Sequence, residues 1–282
     1  MTPDGLFCRD VGDGPPIIVV HGGPDFDHTY LLPELDRLAE SFRLVYYDQR
    51  GRGRSAEGVS AEDVTIESEL DDLDLVCRHF GLGTVAVLGH SWGGVLAMEY
   101  AIRHPDRVSH LILLDTAPAS AGDWQSFRDA LGRLRPVADR EAMEAIAATD
   151  AHQRGDLVAE AAYNRIHFRM TVQQPELLDA LVARLHTDAT EEGILLVRAI
   201  NQQLHDETAR SADWDLFPAL RRLDVPTLVL HGEHDFIPVE LAARIAEAVP
   251  DARLTVLPGC GHFTYLEAPE RVFEEVARFC GA

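Results

Sequence analysis

A chain of 282 residues that is 46% apolar and 26% charged can bury a full core, and its composition is not that of a disordered protein. Its formal net charge of −22, from 47 acidic against 25 basic residues, argues against nucleic-acid binding by phosphate neutralisation. The acidity reads as a well-solvated surface, with attraction of cationic substrates as the alternative. All 25 basic residues are arginine, which excludes a Schiff-base lysine, a phosphate-loop lysine and a Ser–Lys pair.

Met1 to Asp10 carries no basic segment followed by an apolar run, so no signal peptide is expected. The longest apolar runs, Pro15 to Val20 and Leu111 to Leu114, fall far short of the ~20 residues that cross a bilayer. The cysteines Cys8, Cys77, Cys260 and Cys280 are scattered and form no C-x-x-C pair. Reduced thiols in a cytoplasmic protein are therefore expected, without a disulfide framework, a zinc site or another cofactor.

In chain order, Ile17 to Val20, Leu44 to Tyr47, Thr84 to Leu88, His110 to Leu114, Thr227 to Leu230 and Arg253 to Leu257 read as buried strands. Helical periodicity covers Glu67 to Phe80, Trp92 to Arg103, Leu241 to Val249 and Pro269 to Phe279. Strand–helix alternation predicts an α/β fold with a doubly wound, mostly parallel sheet. From about Pro118 to Leu216 the pattern is helical throughout, too long for a structureless loop. It is expected to form a lid, residues 118–216, inserted after the sixth strand into a core made of residues 1–117 and 217–282. Substrate selectivity is expected to lie there.

Gly89-His90-Ser91-Trp92-Gly93 fits G-x-S-x-G between a strand and a helix, the arrangement that lifts a serine hydroxyl above a sheet edge. Such a hydroxyl needs a base. Of thirteen histidines, His262 in Gly259-Cys260-Gly261-His262-Phe263 follows a strand end and should reach the same edge. His21, His90, His231 and His234 also fall near strand ends and read as loop hydrogen-bonders. Asp235, after the strand from Thr227, is the expected carboxylate that fixes the His262 tautomer, with Asp115 as its rival. The backbone N–H groups of Gly23, in His21-Gly22-Gly23-Pro24, and of Trp92 are the expected oxyanion donors. Asp48 to Ser55 reads as a bracing turn. Cys260 has no base paired to it in sequence.

Together His21 to Pro24, Asp48-Gln49-Arg50-Gly51-Arg52-Gly53-Arg54-Ser55, Gly89 to Gly94, Gly232 to Asp235 and Gly261-His262 resemble the α/β-hydrolase superfamily, most closely its proline iminopeptidase branch. The resemblance spans about Pro16 to Leu114 and Leu220 to Phe279. It implies the α/β-hydrolase fold, a Ser91–Asp235–His262 triad and aminopeptidase activity on a small amide or short peptide. Two positions depart from the branch: Asp25 follows Pro24 where glycine is usual, and Phe236 follows Asp235 where some members carry an acid. Amine recognition would then fall to Asp25 or to lid acids such as Glu160, although Glu160 reads by itself as a solvated helix residue. The alternative activity is a carboxylesterase or lactonase using the same residues. A small-molecule receptor on the same fold is a third reading.

Overall fold

The apolar runs form strands because each lies between two helical layers and is covered on both faces. In the computed structural model, which describes Thr2 and residues 5–281, these are β2 (Pro16–Val20), β3 (Arg43–Tyr47), β4 (Val85–His90), β5 (Val108–Leu114), β6 (Thr227–Gly232) and β7 (Ala252–Leu257). A further strand, β1 (Cys8–Val11), precedes them and has no counterpart in the sequence reading. The reading for Met1 to Asp10 falls partly outside the described residues.

The sheet order is β1-β3-β2-β4-β5-β6-β7, with β1 antiparallel to β3 and every other pair parallel. Alternation along each strand splits the core in two. Ile17, Val19, Leu88, Leu114 and Leu230 pack on one face, whereas Ile18, Val20, Val87, Leu113 and Val229 pack on the other.

Helices α1 (Ile66–His79) and α2 (Trp92–Arg103) follow β3 and β4. Between β5 and β6 come α3 (Ala121–Leu134), α4 (Val137–Ala147), α5 (Asp150–Gln153), α6 (Leu157–Phe168), α7 (Leu178–Arg184), α8 (Glu191–Glu207) and the short α9 (Phe217–Leu220). An isolated antiparallel bridge, Ser120 to Asp215, joins the two ends of this helical segment. The chain closes with α10 (Val239–Ala248), α11 (Thr264–Glu267) and α12 (Pro269–Cys280). The helical insertion follows the fifth described strand rather than the sixth, because among the described residues a single strand precedes β2. No helix is long and apolar enough to cross a membrane among the described residues.

Register decides where the loops meet. Val20 pairs with Gly89, His90 with Leu114, Leu114 with Leu230 and Gly232 with Leu257. The C-terminal ends of these five strands therefore finish within three residues of one another, and their loops share one edge.

The approach of α2 to β2 is tight. A β-carbon on Gly93 would stand 2.1 Å from the Val20 carbonyl oxygen and 2.6 Å from that of His21. Both atoms are backbone, so neither can swing away. Gly93→Ala should lower the unfolding free energy in urea by about 2–3 kcal/mol. An unchanged urea midpoint would contradict this packing.

Candidate active site

Ser91 links β4 to α2 with φ 54° and ψ −119°, a conformation that costs an L-residue on the order of 1–3 kcal/mol. It is held there by three backbone bonds: its N–H donates to Leu114 O at 3.0 Å, and its carbonyl accepts from Gly94 N at 2.9 Å and Ala117 N at 3.0 Å. The turn closes because Gly89 has no side chain; a β-carbon there would meet the Gly93 carbonyl oxygen at 2.2 Å.

His262 Nε2 lies 3.0 Å from Ser91 Oγ, and His262 Nδ1 lies 2.9 and 3.0 Å from the two oxygens of Asp235. A carboxylate only accepts, so Nδ1 carries the proton and Nε2 presents a lone pair to the serine hydroxyl. Burial lowers the His262 imidazole to about 3, which keeps it neutral around pH 7 and leaves Nε2 unprotonated. Burial raises the Asp235 carboxyl, against the opposing pull of His231 and the Ile237 and Phe236 N–H groups. The structure thus brings together the three residues the sequence singled out.

Asp115 makes no hydrogen bond to the His262 ring. Its Oδ1 accepts from Gly232 N at 3.1 Å, and its Oδ2 accepts from Thr264 N at 3.0 Å and Thr264 Oγ1 at 2.7 Å. It therefore ties the loop bearing Asp235 to the loop bearing His262. Two further groups hold His262 by its backbone. Its N–H donates to Thr171 O at 2.7 Å, and its carbonyl accepts from His90 Nε2 at 3.1 Å. His90 Nδ1 accepts from Tyr30 OH at 2.7 Å, and that hydroxyl oxygen accepts from Gly22 N, also at 2.7 Å. Glu267 adds a clamp: its carboxylate accepts from Gly261 N at 2.6 Å and from the backbone N–H groups of Gln173 and Gln174. Sequence reading missed Tyr30 and Glu267. No local motif marks either, since Tyr30 bonds Gly22 after β2 and His90 at the end of β4, and Glu267 reaches Gln173 and Gln174 in the helical insertion.

His21, His90 and His231 do serve as loop hydrogen-bonders. Cys260 is buried, and burial with nearby Glu267 pushes its thiol up to about 11, so it carries no thiolate at pH 7.

Gly23 and Trp92 line a cavity of about 400 Å³ together with Ser91 and His262. Neither backbone N–H donates to an acceptor among the described residues, which leaves both free for a substrate oxygen. The Asp48–Ser55 turn braces this loop. Gln49 Nε2 donates to His21 O at 2.7 Å, and Arg52 Nε donates to Pro24 O at 2.8 Å. Asp48 accepts from His28 and from Arg54 N. Arg52 itself is fully buried and pairs with the equally buried Glu69. Two trios of buried His and Asp lie close enough to hold a metal ion, Asp27-His28-Asp48 and Asp115-His231-Asp235, but their carboxylates are already taken by protein donors.

Glu160 departs from the expectation of a solvated residue. It lines the cavity and pairs with Arg198 of α8 and with His152. Residues 160, 163, 164 and 167 fall on one face of α6, and that face borders the cavity rather than water. Asp25 also lines the cavity and has no ion-pair partner among the described residues. Burial raises its carboxyl to about 6, with the charge of Glu160 adding to the rise. Part of the lining is apolar, formed by Trp124, Phe127, Leu131 and Phe236, the last edge-on to His262 at 4.6 Å between ring centroids.

The sequence model of a family described as alpha/beta hydrolase fold matches residues 15–269. A proline iminopeptidase of Saccharolobus solfataricus is 26% identical over 276 residues, covering 96% of this chain and 86% of that one. Among solved structures, a proline iminopeptidase of Mycobacterium smegmatis superposes with a TM-score of 0.73 at 26% identity, covering 99% and 96% of the two chains. A thermophilic esterase of Thermogutta terrifontis gives 0.67 at 28% identity, covering 98% and 92%.

Replacing Arg52 tests the loop brace. Arg52→Met leaves Glu69 buried without its partner and should cost about 3–5 kcal/mol in urea unfolding. A loss below about 1 kcal/mol would show that the pair holds nothing.

Proposed function

Because the chain belongs to the alpha/beta hydrolase fold family and is a hydrolase, we propose that it cleaves a small amide or short peptide through an acyl-enzyme on Ser91. The observation that carries this reading is the placement of His262 between Ser91 Oγ and the Asp235 carboxylate. Ser91 attacks the carbonyl carbon as His262 Nε2 takes its proton. The oxyanion is met by the N–H groups of Gly23 and Trp92 at the N-terminus of α2. His262 then hands the proton to the leaving group, and water, activated by the same imidazole, releases the acid. In this proposal residues 118–216 act as a lid, and the protein works in the cytoplasm with its cysteines reduced.

Asp25 supports the aminopeptidase form, in which a free substrate ammonium is recognised. Glu160 is already neutralised by Arg198, so Asp25 is the acid left for a cation beside the oxyanion loop. The ester or lactone reading rests on the apolar wall of the cavity and on the likeness to the esterase.

The test is kcat/KM for prolyl- and alanyl-4-nitroanilide beside 4-nitrophenyl acetate. Anilides cleaved faster, with N-acetylation removing turnover, support the aminopeptidase; cleavage of the ester alone makes the enzyme an esterase. Ser91→Ala should abolish either activity. Asp235→Asn should lower kcat by about 10³–10⁴, through the wrong His262 tautomer. The same substitution costing less than tenfold would return Asp115 to the role.

The pH dependence follows from Asp25. A raised carboxyl is charged above about 6 and neutral below it, so its attraction for an ammonium is present above that value and lost below. The ratio of kcat/KM for alanyl-4-nitroanilide to that for 4-nitrophenyl acetate should fall as pH drops from 7 to 5. A flat ratio would remove Asp25 from substrate binding.

A further inference from the structure

Half-buried Arg135 follows α3, and among the described residues it has no carboxylate partner and its Nε has no acceptor. Its Nη2 instead lies 3.2 Å from Nδ1 of His167 on α6. A guanidinium only donates, so His167 Nδ1 must accept, and the ring proton is confined to Nε2. His167 lines the cavity, and no other hydrogen bond of its ring is found among the described residues. Burial and the adjacent Arg135 lower this imidazole to about 3, so it stays neutral with one fixed N–H.

Phe236 meets both rings, at 4.6 Å between centroids for His262 and 6.2 Å for His167. His167 therefore lies on the His262 side of the cavity. That side faces the departing group, because His262 is the residue that protonates it. Asp25, by contrast, borders Gly23 in the oxyanion loop.

We propose that His167, backed by Arg135, is a specificity residue that binds a carboxylate carried by the leaving group. For a dipeptide this would be the C-terminal carboxylate. The Nε2–H supplies a directional donor, and the unpaired guanidinium behind it supplies the positive field that favours an anionic acceptor over a neutral one.

This rests on the acyl-transfer reading of Ser91, so the test has one arm with turnover and one without. In the first, 3-carboxy-4-nitrophenyl acetate is compared with 4-nitrophenyl acetate. In both, the Ser91 Oγ–acyl bond forms, the ester C–O bond breaks and the proton passes through His262 to the phenolate. The carboxylated ester should be favoured in kcat/KM by about tenfold, mostly through KM, after correction for their intrinsic hydrolysis rates. His167→Phe should collapse that ratio, and His167→Gln, which keeps an N–H near the Nε2 position, should restore most of it.

In the second arm, 5-hydroxy-2-nitrobenzoate, the carboxylated leaving group itself, is titrated calorimetrically into Ser91→Ala protein. It should bind about tenfold more weakly when His167→Phe is added, and nearly as before with His167→Gln. Equal affinities in all three proteins would overturn the proposal whether or not the esters are cleaved. Loss of turnover with the binding pattern intact would instead place the failure in the Ser91 reading.

Discussion

Ser91 occupies a backbone conformation that L-residues rarely adopt, at φ 54°. A strained residue at the end of a strand persists only if its neighbours leave it nowhere to relax. Here the Leu114 carbonyl takes its N–H from the adjoining strand, Gly94 and Ala117 donate to its carbonyl, and Gly89 and Gly93 let β4, α2 and β2 approach to distances that any side chain would forbid. The parallel register supplies the rest. With the strand ends at Val20, His90, Leu114, Gly232 and Leu257 within three residues of one another, the His21–Pro24 loop, Ser91, Asp235 and His262 emerge at one edge.

The histidine is the least supported member by secondary structure, since it sits in a loop between β7 and α11. Its position comes from polar bonds to three other parts of the chain. Asp115 fixes the residue after it but one, His90 holds its carbonyl, Thr171 takes its N–H, and Glu267 ties the preceding Gly261 to the helical insertion. Each bond is buried, where an unmade partner is costly, so the loop is defined more sharply than its lack of regular structure implies. The insertion is consequently part of the frame that holds His262 as well as a wall of the cavity.

The strands and the serine turn were legible because they depend on local sequence: largely apolar runs of four or five residues, and glycines on either side of a serine. The histidine and its acid could be read from chain order, since each follows a strand expected at the sheet edge. What escaped was set by distance along the chain. β1 is short, edge-lying and only partly buried, and so has no apolar run to betray it. Glu160 resembles any helix acid until α8 brings Arg198 against it. Asp115 looked like a competitor for His262 because it ends a neighbouring strand, and only its partners Gly232 and Thr264 reveal it as a tie between loops.

In the proposed mechanism His262 and Asp235 make Ser91 Oγ a nucleophile. A fluorophosphonate tests it directly, since phosphonylation requires an activated hydroxyl but no particular substrate. Intact mass spectrometry followed by peptide mapping should show one adduct per chain, on Ser91, forming at least about a hundredfold more slowly in His262→Ala. An adduct on any other residue, or labelling of Ser91 at the same rate without His262, would contradict this role for the histidine.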